Sequence, residues 1–326
     1  MLVKFFFIFQ LFFIFIRVDI SYRGNAFEGF TKTMRCHERR RSEFRFLEEV
    51  GSGRTRRVDF MAVNEEVWVV IPARYQARRF PGKSLALLCG KAMVLWVLEA
   101  CRAARLPDQV VVATDDRRIA ETVEAAGGRV VMTASSHPSG TARLAEVAHR
   151  HPEVKWFINV QGDEPGIEPG LVDRVIRRLQ ERSDPGLVVS AAAELQQKID
   201  YHSPHVVKVV FDFVGKALYF SRSAIPFYQD LEVACRGFQG GCPGVYQHLG
   251  VYGYSGEFLR NLQHLRPGVL AGAENLEQLN WLENGVPIEI LTCASAWGGI
   301  DTPEELERLA AKWSENNRGF VGERYE

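Results

Sequence analysis

From Val67 onward the chain alternates short, wholly apolar runs with longer amphipathic stretches, and this alternation restricts the fold more than any other feature. Val67–Ile71 is apolar at every position and ends at Pro72, the pattern of a strand buried on both faces. Further strands are read at Gln109–Ala113, Arg129–Met132, Trp156–Val160 and Leu187–Ala192. Helical periodicity falls between them, at Met93–Ala104, Asp116–Ala126 (closed by Gly127-Gly128), Thr141–Arg150 and Glu168–Arg182. A βαβα order calls for an α/β fold: a mostly parallel sheet flanked by helices on both faces. After Ser203 the strands crowd together at Val206–Phe211, Ala217–Phe220 and Leu249–Tyr254, with Gly215 as a hairpin turn. Helices at Gly256–His264 and Asn275–Asn284, a strand at Ile288–Thr292 and a helix from Thr302 complete the pattern. The expectation is a single α/β domain over residues 61–326, with a β-rich insertion at about 203–255.

Residues 1–60 differ in character. Phe5–Ile16 is an apolar run broken by Gln10, well short of the roughly 20 residues that span a bilayer. No small-residue cleavage site follows it. A basic stretch, Arg35–Arg57, comes next. Three readings compete: a membrane anchor, a targeting peptide, or an upstream extension foreign to the native protein. Met61, ahead of a short polar lead-in and the first strand, favours the third. Contact with a membrane is expected only if residues 1–20 are real and retained.

The 40 Lys and Arg balance the 40 Asp and Glu, which argues against a nucleic-acid partner. The balance is uneven along the chain: residues 1–60 hold 12 basic and 7 acidic residues, leaving 28 and 33 for the rest. Phosphate-binding cations in the body must therefore be placed locally. The six cysteines form no CxxC pair and no zinc-like spacing, and read as reduced thiols of a cytoplasmic protein.

In open α/β sheets ligands bind beyond the carboxyl ends of the strands. The first strand of the body runs into Pro72-Ala73-Arg74, then Arg78-Arg79, then Pro81-Gly82-Lys83: four cations in a loop suited to a phosphate chain. A P-loop is excluded, because Ala77 stands where the pattern needs glycine and Pro81 lacks an N–H donor. The fourth strand ends in Gln161-Gly162-Asp163, which places a carboxylate over the sheet edge where Mg²⁺ would find an oxygen ligand. A second carboxylate, Asp301, precedes Thr302-Pro303, so a helix N-cap competes with a metal role.

Eight segments occur in one order: IPARYQARRFPGK (71–83), VVATDDRRIA (111–120), NVQGDEP (159–165), VVKVVFD (206–212), ALYFSRSAIP (217–226), HLGVYGY (248–254), LEQLNWLENG (276–285) and GIDTPEELERL (299–309). Through them residues 66–314 resemble the 3-deoxy-manno-octulosonate cytidylyltransferases, or CMP-Kdo synthetases. The resemblance implies a glycosyltransferase-A-like nucleotidyltransferase, usually a homodimer, that uses CTP and Mg²⁺ to make CMP-Kdo for lipopolysaccharide or related polysaccharides. Its β-rich insertion would serve sugar binding and dimerisation. Carried over, Ala73, Arg74, Arg79 and Lys83 would hold the CTP triphosphate, with Ser139, Gly140 and Gln161 along the nucleotide. Asp163 and Asp301 would hold magnesium; together with Lys83 and Arg74 they form the expected catalytic set. Arg222, His248, Tyr252, Glu277 and Gln278 would bind the sugar. Without the resemblance, His248 reads as a satisfied core histidine and Glu277 and Gln278 as polar helix positions. Two departures from the family pattern stand out: Ala142 replaces the usual acidic residue after Ser139-Gly140-Thr141, and Ser136 replaces the usual aspartate before His137.

Two other functions compete with this one. A sialic acid cytidylyltransferase would share the fold and the metal chemistry, but YFSR and HLGVYGY favour Kdo. A non-catalytic nucleotide-binding scaffold would be expected to lose Asp163, Asp301 or Lys83, and all three are present. The catalytic reading requires the two aspartates to meet at one sheet edge beside the basic loop.

Overall fold

The computed structural model describes residues 65–76, 80–196, 198–230, 244–294 and 299–317, together with the backbone of three strands further upstream. Residues 1–34, which include the apolar run, and Arg78 and Arg79 of the basic loop lie outside the described residues. The chain divides into two compact units, Met1–Asn64 and Glu65–Glu326. In the first, β1 (Arg35–Arg40), β2 (Glu43–Val50) and β3 (Arg54–Met61) form an antiparallel sheet in sequence order.

The second unit is built on β4 (Val67–Ala73), buried at every position. Its residues divide by parity, as a pleated strand requires. Val67, Val69, Ile71 and Ala73 face a core formed with α1 (Met93–Arg102), α2 (Arg117–Ala125) and α4 (Pro169–Arg182). Trp68 and Val70 face the other core, with α3 (Gly140–Arg150), α6 (Gly256–Asn261) and α8 (Glu277–Glu283). Each aliphatic side chain so buried contributes about 1.5–3 kcal/mol, which explains why an uninterrupted apolar run specifies a central strand.

β4 lies between β7 (Gln109–Thr114) and β9 (Trp156–Asn159), and β8 (Arg129–Met132) pairs with β7; all three contacts are parallel. Beyond β9 the sheet turns antiparallel. The long strand β13 (Tyr246–Ser255) pairs with β9 through Tyr252–Ser255 and with β10 (Val188–Glu194) along most of its length. β13 therefore belongs to the central sheet as much as to the hairpin of β11 (Lys208–Phe211) and β12 (Ala217–Ser221) beside it. β14 (Ile288–Cys293) runs parallel to β10. Gly215, at φ 85°, occupies the left-handed position that the β11–β12 turn needs.

Local signals place most boundaries. Asp116, Ser139 and Ser255 cap α2, α3 and α6 by accepting from Arg118, Ala142 and Phe258 N–H. Four small elements departed from the sequence reading. β5 (Leu87–Leu88) and β6 (Lys91–Ala92) form a hairpin around Cys89 and Gly90, both left-handed, although cysteine is no usual turn residue. α5 (Lys198–His202) was not anticipated. Asn275, expected to open a helix, is left-handed and closes α7 (Val269–Glu274); α8 opens two residues later. The start of α7 is capped by the Glu283 carboxylate, which accepts from Leu270 and Ala271 N–H. α9 (Pro303–Asn317) packs toward α1 through Trp313 and Trp96, ring centres 5.0 Å apart. No helix among the described residues is long and apolar enough to cross a membrane.

Candidate functional site

The carboxyl ends of β4 and β9 and the N-terminus of α3 enclose an open cleft of about 120 Å³. Ala73, Arg74, Lys83, Ser139, Gly140, Gln161 and Asp163 line it. Several local features bring them there. Gly82 is left-handed at φ 76° and its N–H donates to Tyr75 O at 2.7 Å, closing the basic loop and turning the chain into the short 3₁₀ helix that carries Lys83. On the opposite wall, a Cβ at Gly162 would lie 3.0 Å from Pro72 O, so a side chain there would press the β9 end away from β4. That approach sets Asp163 beside the basic loop.

Lys83 lies between the two aspartates. Its ammonium donates to Asp163 Oδ2, to Asp301 Oδ1 at 3.1 Å and toward Ile300 O at 3.5 Å. Asp301 is held in reach by the neighbouring backbone, where Ile300 N–H donates to Asp163 O at 2.9 Å. The cap of α9 falls to Thr302, whose Oγ1 accepts from Glu305 N–H, while Glu305 accepts from the Asp301 and Thr302 N–H groups. The Asp301 carboxylate is thereby turned to Lys83. Burial works against the lysine's charge, but Asp163 and then Asp301 outweigh it, and its pKa ends above the ordinary lysine value.

The opposite wall is tied together by residues the sequence did not single out. Arg143 is buried within α3, where its guanidinium donates to Thr133 Oγ1 and, at 2.9 Å, to Asp115 Oδ1. It thus fastens the ends of β8 and β7 to the helix that begins at the cleft. His137 shares a hydrogen bond with Glu146, which also accepts from Ala134 N–H and Arg150. Burial of the Glu146 carboxylate is outweighed by His137 and these donors, and its pKa falls. The available signal was an arginine on the buried face of an amphipathic helix.

The expected sugar residues are placed differently. Glu277 reaches the cleft wall, accepting from Ser139 Oγ and Thr141 Oγ1, each at 2.8 Å. Although much of the residue is open to solvent, its carboxyl end is hemmed in by protein. The resulting desolvation outweighs the two hydroxyls and raises its pKa. Arg222 is occupied by carbonyls, donating through Nε to Glu274 O and through a terminal nitrogen to Pro204 O, both at 2.9 Å. His248 pairs with Ser190 Oγ at 2.9 Å between the rings of Phe220 and Tyr252, and burial pushes its pKa down to about 3. Tyr252 and Gln278 are buried. Of this set, Glu277 is the one whose hydrogen bonds above reach a residue of the cleft lining, Ser139.

Among the described residues no three His, Cys, Asp or Glu side chains converge as a closed metal site. Asp163 and Asp301 nevertheless present two hard oxygen groups with a cation already between them. Two carboxylates, with phosphate oxygens and water as the other ligands, are a set that Mg²⁺ accepts. The residues fit that ion.

The profile of the cytidylyltransferase family matches residues 68–290. A 3-deoxy-manno-octulosonate cytidylyltransferase of Geobacter sulfurreducens is 45% identical over 249 residues, covering 76% of this chain and 98% of the relative. The chain belongs to this cytidylyltransferase family. A second such relative, from Thermodesulfovibrio yellowstonii, is 43% identical over 245 residues, 73% of this chain and 94% of its own. Among solved structures, a CMP:2-keto-3-deoxy-manno-octonic acid synthetase complexed with CTP superposes with a TM-score of 0.69 at 36% identity, covering 77% of this chain and 99% of the other. A 4-diphosphocytidyl-2C-methyl-D-erythritol synthase from Anaerococcus prevotii reaches 0.51 at 13% identity, over 77% of this chain and 99% of its own, a likeness of fold alone. The family match lies within the second compact unit, and the segment before residue 65 lies outside it.

Proposed function

We propose that the protein transfers CMP from CTP to 3-deoxy-manno-octulosonate, releasing pyrophosphate. The observation that carries this reading is the meeting of Asp163 and Asp301 on Lys83, at the edge of the cleft, in a chain 45% identical to a cytidylyltransferase for that sugar. Arg74 and Lys83 present cations to the phosphates, joined by Arg79 of the same loop. α3 begins at the cleft, with Gly140 in its lining, where a helix start favours anionic oxygens. Ser139 and Thr141 are pinned by Glu277, so that one carboxylate sets the nucleotide wall from the sugar side. Asp163 and Asp301 would hold Mg²⁺, which supplies charge neutralisation at the phosphates and acidifies a substrate hydroxyl. The anomeric hydroxyl of the sugar attacks the α-phosphorus, and the bond to the departing pyrophosphate breaks in line. Positioning and fixed charge supply most of the rate in such transfers.

The reading extends to location and assembly. Cys89, Cys101 and Cys293 are free thiols, in keeping with a reducing cytoplasm where CTP is made. β12 is an edge strand, and Phe213, Val214 and Leu218 on its hairpin are exposed. A second copy of the chain covering that edge makes a homodimer, which light scattering after gel filtration tests. The product would feed synthesis of lipopolysaccharide or a related Kdo-containing polysaccharide.

The decisive assay is pyrophosphate release from CTP with and without Kdo and Mg²⁺, with N-acetylneuraminate as competitor. Release that depends on Kdo and Mg²⁺ supports the proposal. Release with N-acetylneuraminate alone moves it to the sialic acid reading, and none with either sugar leaves a binding scaffold.

A further inference from the structure

We propose that Lys83 competes with the divalent cation, occupying its carboxylates until the nucleotide triphosphate draws the ammonium away, so that metal and nucleotide enter together. The inference rests on the reading of Asp163 and Asp301 as metal ligands.

The geometry sets up the competition. One ammonium contacts both carboxylates and lies 3.5 Å from Ile300 O, so it spans the space a small cation would take. The Lys83 side chain is 15% exposed and Asp163 21%, low enough for the charge pair to resist displacement by water. A divalent ion arriving alone must expel that ammonium and leave it without counter-charge in the cleft. A triphosphate changes the balance by offering the ammonium an anionic partner nearby. Lysine suits the exchange, because its charge sits at the end of a flexible four-carbon stem and needs no fixed bonding plane. The base of that stem is fixed: Gly82 N–H is bonded to Tyr75 O, and Ser84 Oγ donates to Arg74 O at 3.4 Å. The ammonium thus pivots on a stationary backbone, with Arg74, Ser139 and Gly140 lining the same cleft. A purely structural role explains less, since Asp301 is 42% exposed and bridges to such a group contribute little stability.

The test is Mn²⁺ binding to the full chain without nucleotide, read by the electron paramagnetic resonance signal of free Mn²⁺. Lys83→Met is expected to bind Mn²⁺ about tenfold tighter than the parent, the change that removing one nearby charge produces. Lys83→Arg keeps the charge and should stay near the parent value. Adding α,β-methylene-CTP should tighten Mn²⁺ binding more in the parent than in Lys83→Met, because only the parent has an ammonium to relocate. Circular dichroism checks the fold, and Lys83→Gln serves if the Met variant fails to fold. Equal or weaker Mn²⁺ binding in the neutral variants overturns the competition, provided Asp301→Asn still abolishes binding. If Asp163→Asn and Asp301→Asn both leave Mn²⁺ affinity unchanged, the metal-site reading itself is wrong, and the competition falls with it.

Discussion

The two sets of residues expected at the site are built in opposite ways. In the set expected at the metal and phosphates, Lys83, Asp163 and Asp301 address one another beside an open cleft, held in place by backbone devices: a left-handed Gly82, a close-packed Gly162 and a cap on Thr302. In the set expected at the sugar, Arg222, His248 and Tyr252 are taken up by carbonyls, a hydroxyl and aromatic neighbours. Charge that faces a cleft can be changed at little cost to the fold. Polar groups packed into a core cannot, because each doubles as a structural contact.

That contrast can be broken by substitution. Trp281→Ala should do the greatest damage: the ring is 1% exposed and packs edge-on to Tyr252, Tyr254 and Phe258, so its loss should cost about 3–5 kcal/mol of stability in urea unfolding. A loss below 1 kcal/mol would mean that Tyr252 and its neighbours are not held by the core around Trp281. Asp163→Asn should act the other way, lowering kcat by about 100- to 1,000-fold. It should move Tm by no more than about 2–4 °C. A variant that melts early but turns over normally would reverse the assignment.

A smaller effect is expected from His248. Its folded pKa of about 3 lies below the ordinary 6.5, so below pH 6.5 the unfolded chain takes up a proton that the fold refuses. Stability drains away as pH falls from 6.5 toward 3. His248→Gln should flatten that decline by up to about 1.4 kcal/mol per pH unit. Parallel slopes for parent and variant between pH 7 and 5 would show that the ring is not shielded. Smallest of the four, Thr302→Ala should cost about 1 kcal/mol through the lost α9 cap. A larger drop in activity than in stability would show that the cap also aims Asp301.

Much of the fold was legible because strands and helices are written in local periodicity. Val67–Ile71, Arg129–Met132 and Ala217–Phe220 were each read to within two residues of β4, β8 and β12. The misreadings fell where a distant group decides. Asn275 looked like a helix start, but α7 exists because Glu283, on the next helix, caps it. The cleft shows the same division. Lys83, Asp163 and Asp301 were singled out by motif, whereas Arg143, which ties Asp115 and Thr133 to α3, went unassigned because its partners lie on two other segments.

The sequence by itself determined the order of the longer strands and helices, the family, and which side chains carry charge at strand ends. These depend on neighbours a few positions apart, or on motifs whose order along the chain is enough. Only the tertiary structure decided that one ammonium lies between two carboxylates from distant segments, that β13 enters the central sheet, and that Glu277 holds Ser139 and Thr141 at the start of α3. Such contacts arise where strand ends converge, and the energies that select them come from packing across the whole sheet.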